Sequence, residues 1–324
     1  MVLDANRLGE SMKKSRRILK KISIFVSVLL IALIVVVGLH KTGIYRFDFV
    51  RDFYKKISFQ LTTTELNIPQ DALSFSVFDI ENDEYLFYEG EGQLPTVASL
   101  AKLFVIDYAL QRVDLDDVVV VNQEVLDLVP AGSSVADLQV GEYTVKQLMQ
   151  GMLVPSGNDA AYALAYHIAK NDMGSGYSAI EYIHYFMSRL SEYLIEQGYS
   201  NTHLYEDPSG ASMQADTNLD DVNRVALKLL NYDFVRECIG ESTFTIQTSQ
   251  GEITWENTNK LLDKYSPFYN EKIVGMKTGT MASSYSVVAI YEEDGKEYLI
   301  TCLAARSDEG RYRAVQSAIN IYID

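Results

Sequence analysis

Hydrophobic and polar positions divide the chain into one long apolar run and a larger region of shorter, periodic segments. Residues 22–39 are eighteen consecutive positions without a charge, close to the length at which a helix spans a bilayer. Basic residues crowd the preceding tail, residues 1–21, which predicts a cytoplasmic N-terminus and an extracytoplasmic remainder. We therefore expect a single-pass anchor in the cell membrane. No small-residue cleavage site follows Leu39, which favours this anchor over a signal peptide.

The pattern after a mixed spacer at residues 40–69 predicts one large domain over residues 70–324. Runs with a period of two predict strands, and runs with a period near 3.6 predict helices. They follow one another as strands at residues 73–80 and 85–88, helices at 143–153, 158–169, 177–197 and 218–230, strands at 273–280, 284–291 and 297–304, and a helix at 309–322. This order predicts an α+β fold in which the first and last strands share one antiparallel sheet beside a helical lobe.

A further segment, residues 99–110, is apolar nearly all round, which is typical of a buried central helix. Ser99 stands at its start, in the position of an N-cap. Pro155 separates two of the later helices. Ser156, Gly157 and Asn158 are therefore predicted to lie in a loop between helices, from which side chains can reach into a cleft.

Composition and charge narrow the classes of partner and cofactor. The chain has 324 residues, of which 48% are hydrophobic, enough for one large core. Residues 1–56 hold 12 basic and 4 acidic residues; since the net charge of the whole chain is −16, residues 57–324 carry −24. Such an acidic region repels nucleic acid, so we expect none as a partner. The four histidines lack metal-ligand spacing and Cys302 lies in an apolar strand, so no metal or other cofactor is predicted.

Candidate chemistry begins with a serine and a lysine at the start of the central helix. Ser99 and Lys102 are three positions apart, so their side chains share a helix face. A serine hydroxyl becomes a nucleophile when a base takes its proton, and a lysine amine is that base when burial keeps it neutral. The pattern S-x-x-K also occurs at Ser11, in the basic tail, so the pair carries weight only together with other motifs.

Two further motifs follow along the chain. Ser156 is able to relay a proton to a leaving amine and Asn158 to hold the lysine and the substrate backbone, although either would also serve as an ordinary helix N-cap. Lys277, Thr278 and Gly279 lie in a predicted edge strand, where a cation and a hydroxyl suit a carboxylate and a glycine leaves room for an added strand. A lysine on an edge strand is also a common guard against aggregation.

The three motifs and their surroundings resemble the serine D-alanyl-D-alanine carboxypeptidases, the penicillin-binding proteins of low molecular mass. The resemblance covers roughly residues 70–324 and includes residues 130–134, 147–154 and 257–262. It implies a β-lactamase/transpeptidase-like fold, in which helices flank a five-stranded antiparallel sheet. It also implies that the chain removes the terminal D-Ala from peptidoglycan stem pentapeptides and that β-lactams inhibit it.

The resemblance assigns roles by position. Ser99 would be the acylated nucleophile and Lys102 its base, while Ser156 and Asn158 would shuttle the proton and orient the chain. The backbone N–H groups of Ser99 and Thr280 would form the oxyanion hole. The residues that would bind the substrate, most of them at its terminal carboxylate, are Lys277, Thr278, Gly279, Thr280 and Arg306.

Other functions use the same motifs. A class A β-lactamase needs a glutamate for rapid deacylation, but its E-x-x-L-N pattern is absent between Asn158 and Lys277. A β-lactam-acylated sensor would need an output domain, and only residues 1–21 precede the predicted anchor. A DD-endopeptidase or a weak transpeptidase would use the same residues, and the sequence does not separate them from a carboxypeptidase.

Overall fold

The computed structural model describes residues 72–90, 92–94 and 96–323, and all of them belong to the same compact unit. The predicted basic tail, transmembrane segment and spacer, residues 1–21, 22–39 and 40–69, lie outside the described residues. Among the helices of the described part, none is both long and apolar enough to cross a bilayer.

Nine strands and eight helices, besides one 3-10 turn, make up the described part of the chain. The strands are β1 Ser74–Asp79, β2 Glu84–Gly90, β3 Val118–Val121, β4 Gly141–Thr144, β5 Thr243–Thr248, β6 Gly251–Glu256, β7 Ile273–Met281, β8 Ser284–Glu293 and β9 Lys296–Ala305. The helices are α1 Ala101–Ala109, α2 Gln123–Leu126, α3 Val145–Leu153, α4 Asn158–Met173, α5 Ala179–Glu196, α6 Leu219–Leu229, α7 Asp233–Ile239 and α8 Asp308–Tyr322. The 3-10 turn, Ala98–Leu100, leads directly into α1.

Five strands form the main sheet in the order β2-β1-β9-β8-β7, and all neighbours are antiparallel. Strand β1 pairs with β9 from Ser74 opposite Leu303 to Asp79 opposite Tyr298. The predicted α+β fold, with the first and last strands in one antiparallel sheet, is therefore confirmed. Strand β7 lies at the edge of the sheet, as its motif predicted.

Helices cover both faces of this sheet. Phe75 and Ser76 are neighbours on β1, so their side chains point to opposite faces. The Phe75 ring packs at a tilt against Phe87, which packs against Tyr322 of α8, whereas the Ser76 hydroxyl accepts a hydrogen bond from Asn223 of α6 at 2.9 Å. Helices α6 and α8 therefore lie on opposite faces, and the sheet is buried between them.

The central helix is buried as predicted, but its start differs from the prediction. All nine residues of α1 are buried. Ser99 is not the N-cap, because it lies inside the 3-10 turn and Leu100 precedes the helix without a side-chain cap. The hydroxyl of Ser99 instead contacts the amine of Lys102. The N-cap interpretation of Ser156 and Asn158 is also wrong, because Gly157 holds that position before α4.

Two small hairpins, β3–β4 and β5–β6, were not expected from the sequence. Their strands are four to six residues long and half-exposed, so they carry too few apolar positions to give a clear period. The two cysteines are both buried free thiols.

Candidate active site

The site is built around Lys102, which is fully buried on the first turn of α1. Its Nζ donates to Ser99 Oγ at 2.9 Å, to Asn158 Oδ1 at 2.8 Å and to the carbonyl oxygen of Ser209 at 3.1 Å. An ammonium has three N–H groups, so these three acceptors fix the direction of the side chain completely. The structure thus joins the first two predicted motifs through one nitrogen atom.

Burial lowers the pKa of Lys102 from 10.5 to about 7, against the opposing effect of the nearby carboxylates of Asp207 and Asp159. Burial favours the uncharged form because a charged amine loses its hydration. A substantial fraction of Lys102 is therefore neutral near pH 7, which is the form that accepts a proton.

The turn that carries Ser99 is held from two sides. The residue before it, Ala98, has a φ of +49°, which few residues with a Cβ adopt. On one side Gly210 comes so close that an added Cβ would lie 2.0 Å from the Ala98 carbonyl oxygen. On the other side a Cβ at Gly279 would lie 3.2 Å from Leu100 Cγ. A side chain at Gly210 would displace the turn, whereas one at Gly279 would require only a small shift of Leu100. Ser99 is half-buried.

The second motif forms a strained, buried turn at the start of α4. Ser156 is buried and has a φ of +63°, a conformation that costs about 1–3 kcal/mol and is concentrated at functional sites. Asp159 fixes the neighbouring loop, because its carboxylate accepts N–H groups from Ala136 at 2.7 Å and Leu138 at 3.0 Å. This packing leaves Asn158 pointing at Lys102.

The third motif lies on edge strand β7. Lys277 is 1% exposed and donates to the Thr278 carbonyl at 2.9 Å, and the Thr278 hydroxyl shares a hydrogen bond of 2.6 Å with Thr258. Burial lowers the pKa of Lys277 well below its usual value, and the positive charges of Lys102 and Arg311 lower it further. The alternative of an exposed lysine guarding the edge is wrong, because this lysine is buried.

Arg311, which the sequence reasoning missed, lies beneath the end of β7. It is 4% exposed and Nη1 donates to the Gly279 carbonyl at 3.1 Å and to Thr280 Oγ1 at 3.1 Å, while Nη2 pairs with Asp308. Arg306 is exposed just after β9, and its predicted contact with substrate stays a prediction. No pattern in the sequence marks Arg311, because it lies within the regular repeat of helix α8.

The segment that supplies Ser209 was also missed. Asp207 and Ser209 are buried, and they lie in an irregular Asp-Pro-Ser-Gly turn between α5 and α6. Proline and glycine mark this stretch as a turn. Its composition gives no indication that it returns to the central helix.

The sequence profile of the peptidases described as D-alanyl-D-alanine carboxypeptidase (Peptidase S11) matches residues 62–306. The chain belongs to this family. It is 32% identical over 213 residues to the D-alanyl-D-alanine carboxypeptidase of Streptomyces sp. K15, an alignment that covers 63% of this chain and 69% of that protein. It is 28% identical over 257 residues to D-alanyl-D-alanine carboxypeptidase DacD of Salmonella typhimurium, covering 74% of this chain and 60% of that one.

Solved structures support the same family and fold. The crystal structure of the Streptomyces K15 DD-transpeptidase has 27% sequence identity and a TM-score of 0.67, and the match covers 80% of this chain and 98% of that one. Penicillin-binding protein D2 of Listeria monocytogenes, in an ampicillin-bound form, shares the fold at a TM-score of 0.63 and 22% identity, covering 80% of this chain and all of that one. The predicted family, and with it the class of serine D-alanyl-D-alanine carboxypeptidases that act on peptidoglycan, is confirmed.

Proposed function

We propose that the chain removes the terminal D-Ala from peptidoglycan stem pentapeptides through an acyl-enzyme on Ser99. The observation that carries this proposal is the 2.9 Å contact between the Ser99 hydroxyl and a fully buried amine whose pKa is about 7. A nucleophile next to a base that is partly neutral near pH 7 has the arrangement that acyl transfer requires.

Acylation then proceeds as follows. Neutral Lys102 takes the hydroxyl proton while Ser99 Oγ bonds to the carbonyl carbon of the penultimate D-Ala. The C–N bond to the terminal D-Ala breaks, and a proton reaches the leaving amine through Ser156. Asn158 holds Lys102 in place at 2.8 Å, and the N–H groups of Ser99 and Thr280 stabilise the oxyanion. Water then attacks the ester carbonyl and gives a proton to Lys102. The C–O bond to Ser99 breaks, and Lys102 returns this proton to Ser99 Oγ as the shortened peptide leaves.

Substrate binding is assigned to the edge of the sheet. Lys277 is a buried amine near the basic side chains of Lys102 and Arg311, and a carboxylate arriving there would stabilise its protonated form and pair with it. Thr278 and Thr280 add hydroxyl groups, and β7 is the outermost strand of the sheet among the described residues, so an extended peptide can lie along its edge. Arg306 at the end of β9 is proposed to meet the same carboxylate. β-Lactams carry an equivalent carboxylate and would acylate Ser99.

The anchor completes the proposal. The apolar residues 22–39 and the basic tail before them support a single membrane span, with the catalytic domain on the extracytoplasmic side where peptidoglycan lies. Labelling of an extracytoplasmic cysteine introduced near residue 60, by a reagent that does not cross membranes, tests this orientation.

The activity is tested with the full-length protein in detergent. It is incubated with a pentapeptide that ends in D-Ala-D-Ala, and free D-Ala is measured beside a Ser99→Ala variant. Release that requires Ser99 supports the proposal, and equal release by both proteins refutes it.

Transfer to an amine is the second candidate, since the Streptomyces relative is described as a DD-transpeptidase. Adding glycine as an acceptor to the same reaction distinguishes the two. Hydrolysis gives the shortened peptide alone, whereas transfer gives a glycine-terminated product.

A further inference from the structure

A short excursion of the chain, residues 203–216, reaches the active site from the helical lobe. Its two ends pair with each other, since His203 N donates to the Asp216 carbonyl at 2.9 Å and Asp216 N donates back at 3.1 Å. Beside them, Leu94 and Thr217 form a second backbone pair at 2.7 and 3.2 Å. The excursion is thus fixed at its base, and its tip can hold a defined position.

The tip of this excursion contacts Lys102 and the residue directly before Ser99. The Ser209 carbonyl accepts the third hydrogen bond of Lys102, at 3.1 Å. The next residue, Gly210, has a φ of +82° and approaches the backbone of Ala98, directly before the nucleophile. One tight turn therefore sets the position of the base and limits the position of the turn that carries Ser99.

Asp207 holds this turn in shape. Its Oδ1 accepts hydrogen bonds from the Ser209 N–H at 2.7 Å and from the Ser209 hydroxyl at 2.6 Å. The hydroxyl of Tyr162 bonds to the same carboxylate. Tyr162 lies one helical turn after Asn158 on α4, so one face of that helix aims both the amide at Lys102 and the phenol at Asp207.

Building on the proposed function, we propose that Asp207 is a positioning residue for the catalytic base. Its buried carboxylate fixes the Ser209 carbonyl against the Lys102 amine and supplies a negative charge that faces this amine. Asp207 does not touch the reacting atoms itself, and it acts through Ser209 and through its field.

Three titratable groups face Lys102 from the elements packed around it. They are Asp207 on the excursion, Asp159 on α4 and Lys277 on β7. The two carboxylates raise the pKa of Lys102 against the effect of burial, and the positive charge of Lys102 lowers the pKa of Lys277. Removing the charge of Asp207 therefore stabilises the neutral amine and lowers its pKa. Since the base acts when neutral, the acidic limb of the rate profile moves to lower pH.

The test compares three variants of the full-length protein. Asp207→Asn keeps an oxygen that can accept from Ser209 but removes the charge. Glu206→Gln removes the same charge one residue earlier, from an exposed side chain. Tyr162→Phe keeps the charge of Asp207 and removes one of its donors.

Two measurements are made on each variant. The first is the pKa of Lys102, read from the 13Cε resonance of labelled lysine and assigned by its loss in Lys102→Met. The second is the pH dependence of acylation by a fluorescent penicillin. We expect Asp207→Asn to lower both the pKa and the midpoint of the acidic limb by about one unit, the order of magnitude for the loss of one nearby unit charge. Glu206→Gln should leave both unchanged, and Tyr162→Phe should lower the plateau rate with little movement of the limb.

The inference is overturned if Lys102 has the same pKa in Asp207→Asn as in the wild type. This holds even if the plateau rate falls, because a purely structural role of Asp207 predicts a lower rate with an unchanged pKa. The resonance reports on Lys102 whether or not the protein cleaves a peptide. Failure of the proposed function is seen separately, as a wild-type protein that releases no D-Ala.

Discussion

The buried amine of Lys102 makes the rate of acylation depend on pH in a way that an ordinary lysine would not. A lysine with the usual pKa near 10.4 is neutral in fewer than about one molecule in a thousand at pH 7. With its pKa lowered to about 7, Lys102 is neutral in about half of the molecules at that pH. Between pH 7 and pH 5 the neutral fraction falls from about one half to about one in a hundred, a decrease of about 50-fold.

The second-order rate constant for acylation of Ser99 by a fluorescent penicillin should follow this fraction. It is measured from pH 5 to pH 9 by quenching at short times and quantifying the labelled protein, with circular dichroism at each pH to show that the fold is intact. We expect a limb of slope one with its midpoint near pH 7. The control is Lys102→Arg, which keeps a cation that cannot give up its proton and should not be acylated at any pH. A flat profile down to pH 5, or a limb centred near pH 10, would refute the role of Lys102 as the base.

Three further predictions concern stability and substrate binding. Lysine in the unfolded chain keeps its proton up to about pH 10.4, whereas Lys102 in the folded protein loses it at about pH 7. Between these two pH values the free energy of unfolding of the wild type, measured by urea titration, should therefore rise relative to that of Lys102→Met by about 1.4 kcal/mol per pH unit. A difference that stays constant with pH would contradict the buried neutral amine. Gly210→Ala should lower both the melting temperature and the acylation rate, because its Cβ would lie 2.0 Å from the Ala98 carbonyl oxygen. The control is Gly295→Ala, at a φ of +75° in open space, which should lower the free energy of unfolding by only about 1 kcal/mol and leave acylation normal. Equal behaviour of the two variants would show that the close approach of Gly210 to Ala98 is unimportant. Arg311→Gln should raise KM for the pentapeptide about tenfold, because it removes a cation beneath Thr280. Arg313→Gln, on the exposed face of α8, is the control and should leave KM unchanged. An unchanged KM in Arg311→Gln would show that Arg311 does not contribute to substrate binding.

Much of the framework could be predicted from the sequence because it depends on local patterns. The apolar run after Ser99 indicated a helix buried on all sides, and α1 is buried along its whole length. Alternation in the last third of the chain indicated three strands, and β8 and β9 pair across the turn Asp294-Gly295. Both residues have a positive φ, which suits a two-residue hairpin turn.

The rest depends on contacts between residues far apart in the chain. Lys102 meets Ser209, which is 107 positions away, and Arg311 meets the end of β7 from the last helix. Neither contact leaves a periodic signal. The left-handed conformations of Ala98 and Ser156 are imposed by surrounding packing, since neither residue type favours them. The local pattern also predicted that Ser99 caps the helix, whereas in the structure its hydroxyl contacts the Lys102 amine.

Mass spectrometry of the trapped acyl-enzyme tests the central claim most directly. The full-length protein is mixed with the D-Ala-D-Ala pentapeptide or with penicillin, quenched in acid within milliseconds to seconds, and digested. We predict that either compound leaves its acyl group on the peptide that contains Ser99, at that residue, and that Lys102→Met carries none. An acyl group on Ser156 or elsewhere, or turnover of the pentapeptide without an adduct on Ser99 at any time, would contradict it.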